Sequence, residues 1–532
     1  MSILTVYDVT GIQKFIFSSS KLKENFGGSL LVARVMEELL VDAIGLANSK
    51  VCTDWKNSPD FRMLNDHDID AEIVYIGGGN AYVAYKDKAT AIRTTKEFSK
   101  KVFEETYSLT VLSASVEADF EKDDYKIKMK ELQKTMGKKK NEFIRTSPLK
   151  NISITKESLN LKPVTKKEND EFLDVENVIK RNEFKNYHDI FNNEFLADST
   201  YMFPKEIENM GQKTGENHIA VVHIDGNNMG KSIEKALKNI QTFREAVPKM
   251  RQISRNITEQ YRDSFRQLIT FLISKIEDED SPIKKLNFSK ENNKTDLPIR
   301  PIILNGDDTT FVCNARIAMC LTEKFLQIID EKEIELLGRT SACGGIAIIG
   351  THFPFDKAYE LTEECCASAK KTAKEYALTN NEDVKSWFDF HIVYGGLTSD
   401  LQTIREKTYN VVDLPPIKDS KIKKYHLLNR PFIVTEKDHN SSFEKFVKTY
   451  EYFFGKDTVW ARSKLKELRN AMIQGKQATD LYLKELKSRG KELPDTYKGV
   501  NNGFFEEGIT PFFDILEASD YFIDISDERR KE

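Results

Sequence analysis

The stretch IRPIILNGDDTTFV, residues 299–312, decides how the rest of the chain is read. An apolar run climbs to Leu304, turns through Asn305-Gly306-Asp307-Asp308, and leaves as a second β-type run from Thr309 to Val312. Two such runs about a glycine-containing turn predict a β-hairpin. Two adjacent carboxylates at its tip repel each other unless a cation lies between them. Side chains alternate along a strand, so one Asp can face a site while the other braces it or turns away. Oxygen-only ligands in such a turn suit Mg²⁺ or Mn²⁺. Asn, Gly and Asp are also ordinary turn formers, so the motif needs support from elsewhere in the chain.

That support begins upstream. Ile219 to Ile224 is a clean apolar strand ending on Asp225, and Gly226-Asn227-Asn228-Met229-Gly230 turns it into Lys231 and a helix. Backbone N–H groups in such a turn, together with the helix dipole, favour anions, which makes Gly226, Asn227, Asn228 and Gly230 candidate nucleotide-binding positions. A long helical region over about 243–276 and a polar loop lead into the hairpin. A helix over about 315–332, a strand from Ser341 to Ile349 and a helix over about 356–377 follow it.

The N-terminal part repeats this order. Ile3 to Val9 is a strand with Asp8 near its end, followed by Gly11-Ile12-Gln13 and the serines Ser18 to Ser20. Gly27-Gly28-Ser29 is expected to open an amphipathic helix. A strand from Glu72 to Ile76 turns through Gly77-Gly78-Gly79-Asn80 and exits to Tyr85, before a helix over about 88–106 and a strand over about 109–117. Strand, helix, hairpin, helix, strand is the split βαβ or ferredoxin-like pattern of an α/β (α+β) fold. Asp8 and Asn80 are 72 positions apart, Asp225 and Asp308 are 83 apart, and the glycine turn falls where the Asp-Asp turn falls. One tip carries carboxylates; the other carries glycines, which let a backbone approach a ligand closely. A pseudo-dimer with one chemical centre is expected.

Four regions result: a first unit over 1–117, a middle insertion or linker over 118–217, a second unit over 218–400 and a C-terminal helical domain over 401–532. The middle segment is polar and lysine-rich, and its run Lys138-Lys139-Lys140 reads as a solvated face. Pro415-Pro416 marks a connecting loop, and about 442–487 has apolar residues at helical spacing.

Composition excludes several classes. With 532 residues, 39% hydrophobic and 31% charged, the chain is long enough for more than one core. Its net charge is only −4, so no global bias announces a nucleic-acid or membrane partner. None of the six cysteines forms a C-x-x-C pair, which argues against a zinc ribbon and fits reduced thiols. No run of about 18 apolar residues occurs, and the N-terminus lacks a signal-peptide pattern, so a cytoplasmic location is expected. His67-Asp68 and His188-Asp189 are discounted as phosphohydrolase motifs, because only eight histidines are present in all.

Read together, the motifs resemble the large Palm-domain subunit of type III CRISPR effector complexes and its stand-alone relatives. In the first unit the resemblance rests on GIQKFIFSSSKLKENFGGS (11–29) and YIGGGNAYVAY (75–85). In the second it rests on HIDGNNMG (223–230), NGDD (305–308), GGIAIIGTHFPFDKAYEL (344–361), SAKKTAKE (368–375) and WFDFHIV (387–393). NRPFIV (429–434), KLKELRNAMIQG (464–475) and TPFFDILE (510–517) also fit. The family turn is GGDD; here its first position is Asn305, which leaves both carboxylates in place.

The resemblance implies two Palm domains, the first degenerate, and synthesis of cyclic oligoadenylates from ATP. It implies catalytic and metal-binding roles for Asp225, Asp307 and Asp308 around two Mg²⁺ or Mn²⁺ ions, which would stabilise both the attacking 3′ oxygen and the pyrophosphate leaving group. Lys370 is expected to hold the triphosphate, and Ser18, Ser19, Gly78 and Asn80 the acceptor nucleotide on the degenerate Palm. His223 reads as a core residue. Partners implied are ATP, crRNA and other type III CRISPR subunits, with no membrane. No HD nuclease domain and no cysteine-rich zinc element is expected. The competing expectation is a catalytically quiet, nucleotide-binding scaffold subunit.

Overall fold

The computed structural model describes residues 1–19, 21–144, 162–213, 215–291, 293–395, 399–412 and 424–526. Ser20 and the loop expected at Pro415-Pro416 lie outside the described residues.

The first unit starts with β1 (Ser2–Thr10), a short α1 (Ile12–Ile16) and α2 (Leu22–Arg34), which continues through a π-helical stretch into α3 (Leu40–Ala47). The strands β2 (Val51–Cys52), β3 (Ala71–Gly77) and β4 (Asn80–Tyr85) follow, then α4 (Lys88–Thr106) and β5 (Thr110–Ala118). The sheet order is β2-β3-β4-β1-β5, with β4 and β5 both antiparallel to β1. This is the ferredoxin-like arrangement expected from the order of elements.

The unit does not end at 117. Helix α5 (Tyr125–Glu142) packs back on β5 and β1, with Tyr125, Met129, Leu132 and Met136 buried at helical spacing. Helix α6 (Val175–Tyr187), also from the middle segment, lies against α2. The lysine run at 138–140 therefore belongs to the first unit.

Gly27 and Gly28 do not open a helix as the sequence reading expects. They sit inside α2, and a Cβ at Gly27 would lie 2.0 Å from the carbonyl oxygen of Lys180 on α6. Here the glycines allow two helix backbones to touch. Gly27→Ala is expected to destabilise the protein by about 1–3 kcal/mol, the usual cost of overpacking. Gly45→Ala, in α3 with nothing within 4 Å, is expected to stabilise it by about 0.5–1 kcal/mol. Denaturant titration of both variants checks the contrast.

The second unit repeats the first. Strand β6 (His218–Gly226) leads to α7 (Met229–Ala236) and the 35-residue α8 (Phe243–Glu277). The hairpin is β7 (Ile299–Asn305) and β8 (Asp308–Asn314), followed by α9 (Ala318–Asp330), β9 (Ala342–Gly350), α10 (Phe355–Asn380) and β10 (Trp387–Ile392). The order is β7-β8-β6-β9-β10, closed by a short strand at Phe432–Ile433. Beyond it lie helices at Phe443–Phe454, Arg462–Ile473, Lys476–Ser488 and Phe513–Ala518, the expected helical region.

The two units pack reciprocally. Each hairpin has a register shift at the same place, at Val74 in the first unit and Ile302 in the second. Such a bulge leaves a carbonyl out of the ladder. The Ile302 carbonyl accepts from Ser29 on α2, while the Val74 carbonyl accepts from Arg251 on α8 at 2.8 Å. Each unit's first long helix thus caps the other unit's bulge, as an approximate two-fold axis requires. The hairpin tips meet: a Cβ on Gly306 would lie 4.0 Å from the backbone nitrogen of Gly78.

Candidate active site

The β7–β8 turn has Gly306 at φ +60, the glycine-first pattern of a type II′ hairpin. Asn305 is the last strand residue and keeps an ordinary φ, so the turn does not need a glycine there. In the first unit both Gly78 and Gly79 have positive φ, the type I′ pattern, whose second place, where Asp307 sits in the other hairpin, favours glycine.

Alternation then sorts the carboxylates. Asp308 is the register partner of Asp225, and Thr310 of His223. These four side chains share the sheet face covered by α10. Asp307, in the turn, goes to the other face: a Cβ built on Gly226 would lie 2.9 Å from its Oδ2 and 3.0 Å from the hydroxyl of Tyr261 on α8. The three acids gather at one sheet end, with Asp225 and Asp308 on one side and Asp307 on the other.

Lys370 on α10 reaches this corner. Its Nζ donates to Asp225 Oδ2 and, at 3.2 Å, to the Gly226 carbonyl. Burial alone would lower its pKa, but Asp225 raises it above the usual lysine value. The reach depends on Gly345, where a Cβ would lie 1.9 Å from the Thr362 carbonyl, so α10 lies flush on β9.

His223 is buried, as the sequence reading expects, but it is also part of the acid corner. Its Nδ1 lies 3.3 Å from Asp308 Oδ1 and 3.3 Å from Thr310 Oγ1, with the Tyr359 hydroxyl at 3.5 Å. Burial pulls its pKa down, and Asp308 and Asp225 more than restore it. Its role was legible only as period-two alternation from Asp225.

Asp307 carries the electrostatic cost. Burial, then Asp225 and Asp308, push its pKa up to about 6, with Lys370 opposing. The unfolded carboxyl releases its proton near the ordinary 3.8, so between these values the folded state binds more protons. Stability therefore falls as pH rises through that window, and the loss is complete above it. Without divalent ions, Asp307→Asn is expected to exceed the parent by about 1 kcal/mol at neutral pH, and to match it once both carboxyls are protonated. Thermal melts of both proteins across the window check this.

Of the other candidates, Asn228 is in the left-handed region and caps α7, whose first turn holds Gly230 in open space. Asn227 is turned inward, donating to Ser341 Oγ at 3.0 Å, so only its backbone belongs to the turn. Gly78 meets the second unit's tip, and Asn80 Nδ2 donates to the Gly78 carbonyl at 3.2 Å. Ser18 and Ser19 are not brought there. Ser18 donates to Glu176 at 3.0 Å and accepts from Lys180 at 2.8 Å, while Ser19 is tied to Glu24. Ser18 thereby anchors the middle segment to the first unit.

The first unit keeps a remnant of the same corner. Asp8 pairs in register with Asn80, and Lys140 on α5 contacts Asp8 at 2.8 Å. This matches Asp225, Asp308 and Lys370 position for position. Sequence reading assigned Lys140 to a solvated face because nothing linear links it to Asp8.

Among the described residues no three His, Cys, Asp or Glu side chains converge as a ready-made metal cage. Mg²⁺ does not need one: it binds through one or two carboxylates, with water and substrate phosphate completing its shell. The oxygen donors at this corner and the raised pKa of Asp307 fit such an ion. No helix among the described residues is long and apolar enough to cross a membrane.

Residues 218–379 match the family model described as Cas10/Cmr2, second palm domain. No curated protein matches the chain. Among solved structures, a Csm1–Csm4 cassette in complex with AMPPNP is 13% identical, with 97% of this chain and 70% of that chain covered at a TM-score of 0.49. Csm1 in T. onnurineus is 14% identical, with 97% and 69% covered at 0.48. The cassette in complex with cA4 is 13% identical, with 97% and 70% covered at 0.47. The α/β unit that carries Asp225, Asp307, Asp308 and Lys370 is the part of the chain that matches the Cas10/Cmr2 second palm domain model.

Proposed function

We propose that the chain is a divalent-metal-dependent nucleotidyltransferase that makes cyclic oligoadenylates from ATP, as a nucleotide-binding, Cas10-like subunit of type III CRISPR defence. The observation that carries this is the acid corner: Asp225 and Asp308 in register, Asp307 beside them, and Lys370 reaching across. Asp225 and Asp307 would hold Mg²⁺ or Mn²⁺, with Asp308 set by His223. The bound ions would neutralise charge developing on the attacking and leaving oxygens.

The chain's own groups do the positioning. Lys370, a point charge, exchanges Asp225 for the triphosphate of an incoming ATP. The backbone N–H groups of Met229 and Gly230, at the start of α7, meet phosphate. The Gly78 tip of the degenerate Palm offers a close backbone surface to the acceptor nucleotide. A 3′ hydroxyl then attacks the α-phosphorus and gives up its proton to water, a new P–O bond forming as the bond between the α-phosphorus and the pyrophosphate oxygen breaks. Partners consistent with this reading are crRNA and other type III subunits.

The test incubates the purified chain with ATP and Mn²⁺ and resolves the products by mass. Cyclic or linear oligoadenylates with released pyrophosphate are expected. ATP that binds and is recovered intact would favour the scaffold role instead.

A further inference from the structure

The hydroxyl of Tyr261 has no hydrogen-bond partner, although the residue is only 2% exposed. Buried tyrosine hydroxyls normally find partners. Tyr7 and Tyr85 bond each other at 2.8 Å in the first unit. Packing does not explain the oxygen, because phenylalanine would fill the same volume without it. The ring rests near Phe325 and holds the hydroxyl over Gly226, in the space it shares with Asp307 Oδ2. Only glycine at 226 leaves that space open, since a Cβ would collide with both oxygens.

We propose, resting on the reading of the site given above, that Tyr261 is a positioning residue for Asp307. Its O–H donates to the Asp307 carboxylate when a divalent cation is bound, and fixes which oxygen that carboxylate turns toward Asp225. A neutral phenol can only donate to a carboxylate, and this one stays neutral: burial, then Asp307 and Asp225, raise its pKa well above the usual tyrosine value. Groups that orient a ligating carboxylate govern metal affinity without touching the metal.

Tyr261→Phe removes one oxygen and nothing else. Mn²⁺ binding is measured by electron paramagnetic resonance of the free ion for the full chain, Tyr261→Phe and Asp307→Asn. Tyr261→Phe is expected to bind Mn²⁺ about tenfold more weakly, with a melting temperature in the absence of metal that is equal or higher. Its half-saturating Mn²⁺ for product formation should rise by the same factor, with turnover restored at saturation. A purely structural tyrosine would not produce that recovery. If the full chain binds Mn²⁺, Asp307→Asn does not, and Tyr261→Phe binds as the full chain does, the proposal is overturned while the metal site stands. A Tyr261→Phe variant that melts lower but binds Mn²⁺ normally also overturns it. A full chain that binds no Mn²⁺ overturns both readings.

Discussion

Changing Asp307 and Asp308 together to Ala is expected to abolish product formation while leaving the protein folded. The two acids do different work, so neither rescues the other. Asp307 lies over Gly226 beside Tyr261, and Asp308 holds His223 on the opposite sheet face. Without them Asp225 would face a divalent ion alone, already engaged by Lys370. A loss of about 4 kcal/mol in transition-state stabilisation corresponds to roughly a thousandfold in rate. The fold should not suffer. Asp307 is held against an opposing field that pushes its pKa up to about 6, so its removal relieves repulsion. Nucleotide should still bind through the backbone at the start of α7, which the substitutions leave untouched. The check is product yield at matched thermal stability, alongside ATP binding. Equal yields in parent and variant would remove this corner as the catalytic centre.

Arg251→Ala is expected to have the largest effect on stability. The guanidinium is buried and donates to five acceptors on the first unit: the carbonyls of Ser58, Asp60, Ile73 and Val74, and Glu72 Oε1. Glu72 keeps the backbone N–H groups of Arg62 and Met63, but its charge would stay buried and uncompensated. Breaking a buried pair by removing one partner typically costs about 3–5 kcal/mol. Arg255, one helical turn on, bonds the Lys56 carbonyl at the surface, and its loss should cost about 0.5 kcal/mol or less. Chemical denaturation of the two variants separates the cases. Because α8 is what holds β3 against the second unit, Arg251→Ala should also lower turnover even at temperatures where it stays folded.

The sequence alone was enough for the elements of both units. Their strands are apolar runs with sharp turn residues, and their helices have long apolar periodicity. The helix expected over 88–106, the strand with Asp225 at its end and the strand that leaves the turn at Asp308 lie where the periods put them. The internal repeat was legible too, because equal element order and equal turn placement survive without side-chain identity. Linear order failed where packing between distant segments decides. Gly27 and Gly28 carry the usual signal of a helix start, yet they mark a contact with α6, more than 150 positions away. Ser18 and Ser19 look free in the sequence and are consumed by Glu176, Lys180 and Glu24.

The candidate site divides in the same way. That Asp225, Asp307 and Asp308 belong together follows from the sequence, since a strand end and a hairpin tip in one split βαβ unit must be neighbours. Which sheet face each acid takes follows from register and turn type, and these are settled only when β8 pairs with β6 and Gly306 takes a positive φ. Tyr261 and the Asp8–Lys140 pair enter through tertiary structure alone, as do the contacts of Lys370 with Asp225 and of His223 with Asp308. Each reaches its partner across a helix–sheet or cross-strand contact, and a contact of that kind leaves no periodic mark in either segment.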